Sequence, residues 1–330
     1  MYSPIFKVTS RSINLVAAIS AQLEHFALRM ELEDELLLRR VNRIRSICGS
    51  LAIEGNTLSE AQVSDIINGR RVLGPAREIR EVQNAVRAYD LLPSLEPFSK
   101  KDLLKAHESL MSGLTEDAGR LRRGSVGVFA GERAVHIAPP ANLVSGQLDD
   151  LIEWTRRADD HMLIRSSVFH YEFEFIHPFS DGNGRTGRLW QTLLLSVENP
   201  LFAHVPIENL VYERQFEYYD AINESTAASD SGIFVEFMLE AILDSLKGKP
   251  TNRVSSGGHS NVGRKVGTIV GTTEEKALYL IIDNPKITAK ELAARLSVTQ
   301  RHAERLFASL KKNGLIMRVG ANKNGVWVVR

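Results

Sequence analysis

At 330 residues the chain has room for about two domains. A 43% hydrophobic and 25% charged composition excludes a disordered or collagen-like chain, and a formal charge of +1 excludes a global attraction to polyanions or polycations. One cysteine, Cys48, excludes an internal disulfide, and no Cys/His pairs stand at zinc-site spacing.

At the N-terminus Lys7 and Arg11 precede Asn14, Gln22, Glu24 and His25, which interrupt each apolar run. Neither a signal peptide nor a membrane-length span is expected, so the expected location is the cytoplasm. From about Ser10 to Leu246 apolar residues recur mainly at helical spacing. Leu37, Val41, Ile44, Cys48 and Leu51 form the stripe of an amphipathic helix, which makes Cys48 a packed thiol. That helix leads into Ser50-Leu-Ala-Ile-Glu54-Gly55-Asn56. Val126-Gly-Val128 and Val135-His136-Ile137 alternate as short strands on either side of Gly131 and predict a hairpin, which Pro139-Pro140 ends. Leu151, Ile152 and Trp154 are expected to pack on the core.

Ile164, Val168, Tyr171 and Phe175 mark a helix stripe entering the stretch His177-Pro-Phe-Ser-Asp-Gly-Asn-Gly-Arg-Thr-Gly-Arg188, and Leu189, Leu193 and Val197 mark one leaving it. The stretch therefore joins two helices. Strand-like runs are otherwise few, so the expected fold class is an all-α core with one β-hairpin. Lys247 to Gly271 turns to glycine, serine, proline and basic residues, without an acid as far as Lys265, and reads as a linker. Beyond it helices are predicted at 273–282, 289–296 and 300–312, followed by strands at 316–319 and 325–329 joined through residues 320–324. This order resembles a winged helix-turn-helix. The expected domains are thus 1–95, 96–246, a linker at 247–271, and 272–330.

The joining stretch is built for phosphate chemistry. Gly182 and Gly184 admit backbone angles that let the amides around Asn183 converge on an anion at a helix start. Arg185 and Arg188 are three apart, on one face of the following helix, and offer planar donor forks to phosphate oxygens. Asp181 is a carboxylate of the kind that holds Mg²⁺ together with substrate phosphates and water. His177 titrates near neutrality and can take the proton of an attacking hydroxyl.

This stretch resembles, at every defining position, the Fic family signature His-x-Phe-x-(Asp/Glu)-Gly-Asn-Gly-Arg-x-x-Arg. Fic proteins are mostly AMP transferases, so the resemblance implies that ATP is split, AMP passes to a Ser, Thr or Tyr hydroxyl of a protein, and pyrophosphate leaves. It assigns His177 as general base, Asp181 as Mg²⁺ ligand, Gly182 to Gly184 as the anion hole for the α- and β-phosphates, and Arg185 and Arg188 to the β- and γ-phosphates. Thr186 and Gly187 belong to the same nucleotide-binding stretch. The Doc branch, which phosphorylates its targets, has lysine in place of the second cradle glycine, so Gly184 fits the AMP-transferring branch. Relatives that transfer UMP or phosphocholine share the loop.

Further stretches resemble the same family. His107 to Arg122 is similar to the segment leading to the Fic flap, an edge that aligns the target by main-chain pairing, here Val135, His136 and Ile137. Arg214 to Tyr219 resembles the helix whose side chains wall the adenine and ribose; Tyr218 and Tyr219 either line that pocket or are packing residues. Ser50 to Gly55 resembles the inhibitory motif (Ser/Thr)-x-x-x-Glu-(Gly/Asn), in the subgroup where it precedes the catalytic domain. By that resemblance residues 1–95 carry the inhibitory helix, and Glu54 pairs in bidentate fashion with Arg188, taking the guanidinium meant for the γ-phosphate. The implied partner is a protein bearing a hydroxyl acceptor, another chain or this one; removal of AMP by the same site and a homodimer stay open.

From Thr273 onward eleven Lys/Arg stand against five Asp/Glu, and Arg301, Arg305, Lys311 and Lys312 lie on the helix that reads DNA in a winged helix, with Lys323 on the wing. A module of this kind binds DNA, docks protein or dimerises, and an excess of this size is also that of a solvated surface. The alternative function is accordingly a DNA-binding regulator whose Fic domain senses a nucleotide.

Overall fold

A computed structural model describes residues 2–32, 35–124, 127–130, 133–248, 277, 281, 286–296, 298–312, 316–319 and 326–329. Apart from residues 247, 248, 277 and 281, the expected linker and the helix expected at 273–282 lie outside the described residues, as do Gly131 and residues 320–324. The described residues fall into two compact units, the larger taking 2–124 and 138–248, the smaller the 127–137 hairpin and the C-terminal residues from 277.

The larger unit is helical. Its elements are α1 (Ser10–Leu32), α2 (Glu35–Ile53), α3 (Glu60–Ile67), α4 (Ala76–Leu91), α5 (Lys100–Met111), α6 (Ala141–Arg157), α7 (Met162–Ile176), α8 (Asn183–Glu198), α9 (Ile207–Glu213), α10 (Gln215–Ala228) and α11 (Gly232–Lys247). Local chemistry sets several starts. Ser59 and Gln62 close a capping box on α3, and the Ser99 hydroxyl accepts from Asp102 N at the head of α5. The middle helix is α7, buried on nearly every side, from Met162 through Val168 and Phe169 to Phe173 and Ile176. It divides two cores. Ile44, Ile47 and Leu51 of α2 join Leu103, Met111, Phe169, Phe173 and Trp190 in one, while Ile19 and Phe26 of α1 join Val168, Tyr171, Phe234 and Met238 in the other.

Residues 1–95 are therefore not a body apart: α1, α2 and α4 share both cores with residues 96–246. Leu151 and Ile152 are buried, and Trp154 meets Phe6 edge-on at 5.8 Å. The apolar stripes drift at helix ends. Leu37, Phe175 and Val197, expected inside, are exposed, and Ile47, absent from the expected stripe, is fully buried. Cys48 is half-buried, its thiol pushed up to about 11 by burial and by the charge of Glu60, which suits an inert packed thiol.

One glycine sets the placement of α2. A Cβ on Gly49 would stand 2.5 Å from the Asn209 Cα, so α2 and α9 touch backbone to backbone. Gly49→Ala is expected to cost about 1–3 kcal/mol, because neither helix can retreat without opening a core; urea unfolding measures it.

In the smaller unit β1 (Gly127–Ala130) and β2 (Arg133–Ile137) pair antiparallel, Gly127 opposite Ile137 and Val128 opposite His136, with a register shift after Val128. Val135, His136 and Ile137 thus lie on the second strand. Further on come α12 (Ala289–Arg295), α13 (Gln300–Lys312), β3 (Ile316–Val319) and β4 (Val326–Val329), the last two paired antiparallel. Thr288 with Glu291 caps α12, and Thr299 caps α13. Ile287, Leu292, Ala303, Leu306, Phe307 and Leu310 form a small core on which Trp327 stacks, 4.7 Å from Phe307. Among the described residues no helix is long and apolar enough to cross a membrane.

Candidate active site

The end of α7 and the start of α8 hold the site. At the end of α7 His177 takes a left-handed conformation, φ 49°, which turns the chain sharply out of the helix. Five residues on, Gly182 at φ 83° turns it into α8. A Cβ there would stand 2.6 Å from the sulfur of the buried Met111 side chain, which would have to shift, so a side chain is disfavoured by space as well as by angle.

The intervening loop is held by buried polar groups. Asn183 accepts from Phe179 N and donates to Phe179 O, both at 2.9 Å, and the Thr186 hydroxyl donates to Gly182 O at 2.8 Å. Arg122, 3% exposed, donates to His177 O at 2.7 Å, Pro139 O at 2.5 Å, Ile176 O at 3.3 Å and Gly124 O at 2.9 Å. It satisfies carbonyls that a helix end leaves open, and burial lowers its own pKa. His107 stacks flat on Phe179 with centroids 3.6 Å apart. Its Nδ1 accepts from Gly119 N at 2.9 Å, so Nε2 carries the proton and donates to Asp181 O at 2.9 Å. Burial pushes its pKa down to about 4, in keeping with this neutral form. Arg122 and His107 were named in the sequence only within a resembling stretch, and their roles as loop anchors are visible only in three dimensions.

The charges are arranged around Arg188. Arg188 is 3% exposed and gives Nη2 to Glu54 Oε1 at 2.6 Å, while Nε and Nη2 reach Ser50 Oγ at 3.2 Å and Ser50 O at 3.0 Å. The expected bidentate pair is thus corrected: the fork is split between Glu54 and Ser50, because the α2 backbone comes close enough to accept. Glu54 follows the last turn of α2, its N–H on Leu51 O at 3.1 Å, and that turn is fixed by Gln215 donating to Ile53 O and Asn56 donating to Glu78 O and Glu81. Burial raises the Glu54 pKa, but Arg188, Arg185 and His177 outweigh it and hold the carboxyl below its ordinary value.

Arg185 points elsewhere, toward Asp181 Oδ1 at 3.1 Å and Glu81 Oε1 at 3.6 Å, with Arg77 also on Asp181 at 3.5 Å. The two site arginines therefore diverge toward α4 and α2. His177 Nδ1 faces Glu174 O at 3.4 Å; a carbonyl only accepts, so in the neutral ring Nδ1 carries the proton and Nε2 is the accepting nitrogen.

Tyr218 requires a second correction. Its side chain is buried, its hydroxyl lies 3.0 Å from His170 Nε2, and its ring packs on Phe234, so it offers no face to a nucleotide in this conformation. Tyr219 is half-buried against Tyr218. Among the described residues no three His, Cys, Asp or Glu side chains converge on a metal position. The half-exposed Asp181 nevertheless fits Mg²⁺, which takes one or two protein carboxylates and fills its shell from phosphates and water.

Glu174 was not singled out from the sequence. Its Oε1 is buried without a hydrogen-bond partner, 3.9 Å from His170 Nε2, with Arg188, Glu54, Tyr218 and Tyr219 as its other charged or titratable neighbours. Burial pushes its pKa up to about 7; the charge of Glu54 adds to the rise and Arg188 opposes it. A raised carboxylate pKa contributes stability below the unfolded value, and that stability is lost as pH rises through the folded one. Glu174→Gln is accordingly expected to exceed the parent in stability by up to about 3 kcal/mol at about pH 8, a gain that disappears toward about pH 4.5. Urea unfolding at the two pH values measures it.

The Fic/DOC family model matches residues 97–195. A Fic family protein of known crystal structure from Desulfovibrio desulfuricans G20 is 38% identical, covering 100% of this chain and 98% of that one with a TM-score of 0.71. Protein adenylyltransferase fic-1 of Caenorhabditis elegans is 28% identical over 279 residues, 75% of this chain and 52% of that protein. A probable protein adenylyltransferase of Aquifex aeolicus is 28% identical over 198 residues, 58% of this chain and 57% of that protein. The chain spans about half the length of these two curated relatives. Because the likeness to the Desulfovibrio protein runs through both chains almost end to end, the chain belongs to the Fic family.

Proposed function

We propose that the protein is an AMP transferase that uses ATP to modify a hydroxyl of a protein, and that Glu54 holds it off. The carrying observation is that Glu54 lies in the cradle itself: its carboxylate grips Arg188, and a Cβ on Gly184 would collide with the same oxygen. Phosphates of a nucleotide and the Glu54 carboxylate would compete for one guanidinium and one helix N-terminus.

In the proposed reaction His177 Nε2 takes the proton of the acceptor hydroxyl as its oxygen attacks the α-phosphorus. The bond from that phosphorus to the bridging oxygen breaks, and pyrophosphate leaves. Amides at the start of α8, which lack partners within the helix, face the phosphates, while Arg185 and Arg188 offset the charge on the leaving group. Asp181 would hold Mg²⁺, which when bound supplies a counter-charge for the phosphates. The antiparallel 127–137 hairpin supplies strand edges on which a target segment can pair, with Val135, His136 and Ile137 on one of them. The curated relatives carry the name protein adenylyltransferase, which favours transfer over the regulator reading.

ATP labelled at either the α- or the γ-phosphate, incubated with Mg²⁺, the Glu54→Gly protein and cell extract, tests the transferred group. Protein label from the α-phosphate alone is expected. Label from the γ-phosphate would make the enzyme a kinase, and no label despite measured ATP binding would make the domain a sensor.

A further inference from the structure

Behind the arginine lies a second carboxylate. Glu208, the second residue of α9, is 2% exposed. Its Oε1 accepts from the Tyr89 hydroxyl at 2.7 Å and the Thr192 hydroxyl at 3.0 Å, but Oε2, equally buried, has no hydrogen-bond partner. A buried carboxylate oxygen left without a donor is costly, and native structures rarely tolerate one. Beside it is a cavity of about 10 Å³ lined by Arg188, Gln191, Thr192 and Glu208, with Ile207, Val211 and Met238 on its apolar side.

That volume is about enough for one water molecule, and a buried water needs two to four polar partners. The guanidinium can donate, Glu208 Oε2 can only accept, and Gln191 and Thr192 complete the polar lining. The Tyr89 hydroxyl, bonded to Glu208, also meets Ser50, whose carbonyl and hydroxyl both accept from Arg188. Glu208, Tyr89, Ser50 and Arg188 thus form one buried chain of polar contacts. Its α2 end is locked to α9 at Gly49, one residue before Ser50 and beside Asn209.

We infer that this cavity binds one water bridging Glu208 Oε2 to the Arg188 guanidinium, which makes Glu208 a positioning residue for that arginine. The inference rests on the reading that Arg188 receives the terminal phosphates of ATP. Withdrawal of Glu54 would otherwise leave a buried guanidinium hydrogen-bonded to Ser50 alone. With the water and Glu208 behind it, the fork stays in place when the inhibitory carboxylate leaves, and the nucleotide meets a preformed donor set.

Two measurements test this. A crystal structure of the full chain fine enough to show ordered water should place one within hydrogen-bond distance of both Glu208 Oε2 and Arg188; a dry cavity would overturn the inference whatever the variants do. In a Glu54→Gly background, Glu208→Gln keeps shape and one acceptor oxygen. It should weaken ATP binding by about tenfold or more while AMP, which has no terminal phosphates, binds as before. Unchanged ATP affinity would remove Glu208 from the positioning role, whereas a Glu54→Gly parent that binds no ATP would refute the underlying reading instead.

Discussion

Glu54→Gly is expected to raise AMP transfer by about one to two orders of magnitude, chiefly through ATP binding. The effect follows from a single contact. Glu54 Oε1 takes an Arg188 donor at 2.6 Å, and a hydrogen bond between charged groups is worth about 1.5–3 kcal/mol, which ATP must now displace before its terminal phosphates are held. The same substitution costs stability, because it removes the direct counter-charge of a buried guanidinium; loss of one partner of a buried pair reaches about 3–5 kcal/mol. The cost here is smaller, since Glu54 is one-third exposed and Ser50 keeps its hold on Arg188. The variant should therefore melt below the parent without nucleotide and recover with ATP, whereas the parent should respond little. A thermal melt of both proteins with and without ATP and Mg²⁺ reads this directly. On the proposed reading, release of inhibition would be a movement of the Glu54 side chain and its turn, not departure of α2, whose Ile44, Ile47 and Leu51 are core residues.

His177→Ala is expected to reduce transfer by about a thousandfold or more, in the Glu54→Gly background as in the parent, because it removes the general base of the proposed reaction. Residue 177 is left-handed, so a bare loss of activity could reflect a displaced loop. His177→Asn answers this, since asparagine accepts that conformation readily but supplies no base at neutral pH. Both variants should bind ATP as their parent does and fail to transfer; loss of binding in both would make His177 a loop-shaping residue. Kinetic and binding measurements on the two variants separate these outcomes.

The loop between α7 and α8 was legible because its signals are contiguous. From His177 to Arg188 the glycines that bend the chain and the side chains proposed to hold phosphate and move a proton occur within twelve positions, so the helix-loop-helix could be read from order alone. The meeting of Glu54 with Arg188 spans 134 positions and entered only through a resemblance; its split geometry came from how closely the α2 backbone approaches. Arg122, His107, Glu174 and Glu208 stayed hidden because a buried polar residue declares itself by distant partners, not by local spacing. Tyr218 shows the reverse: a tyrosine on a helix is ambiguous until its hydroxyl finds His170. The central helix α7 is buried nearly all round, which erases the one-sided pattern that periodicity detects and explains why Phe175 was placed inside.

Transfer of label from α-phosphate-labelled ATP, run side by side with the parent, Glu54→Gly and Glu54→Gly/His177→Ala in the presence of Mg²⁺, tests most directly whether one carboxylate occupies the nucleotide site. Strong labelling of protein by Glu54→Gly, weak labelling by the parent and none by the double variant is expected. Equal labelling by the parent and Glu54→Gly, or labelling that survives loss of His177, would contradict it.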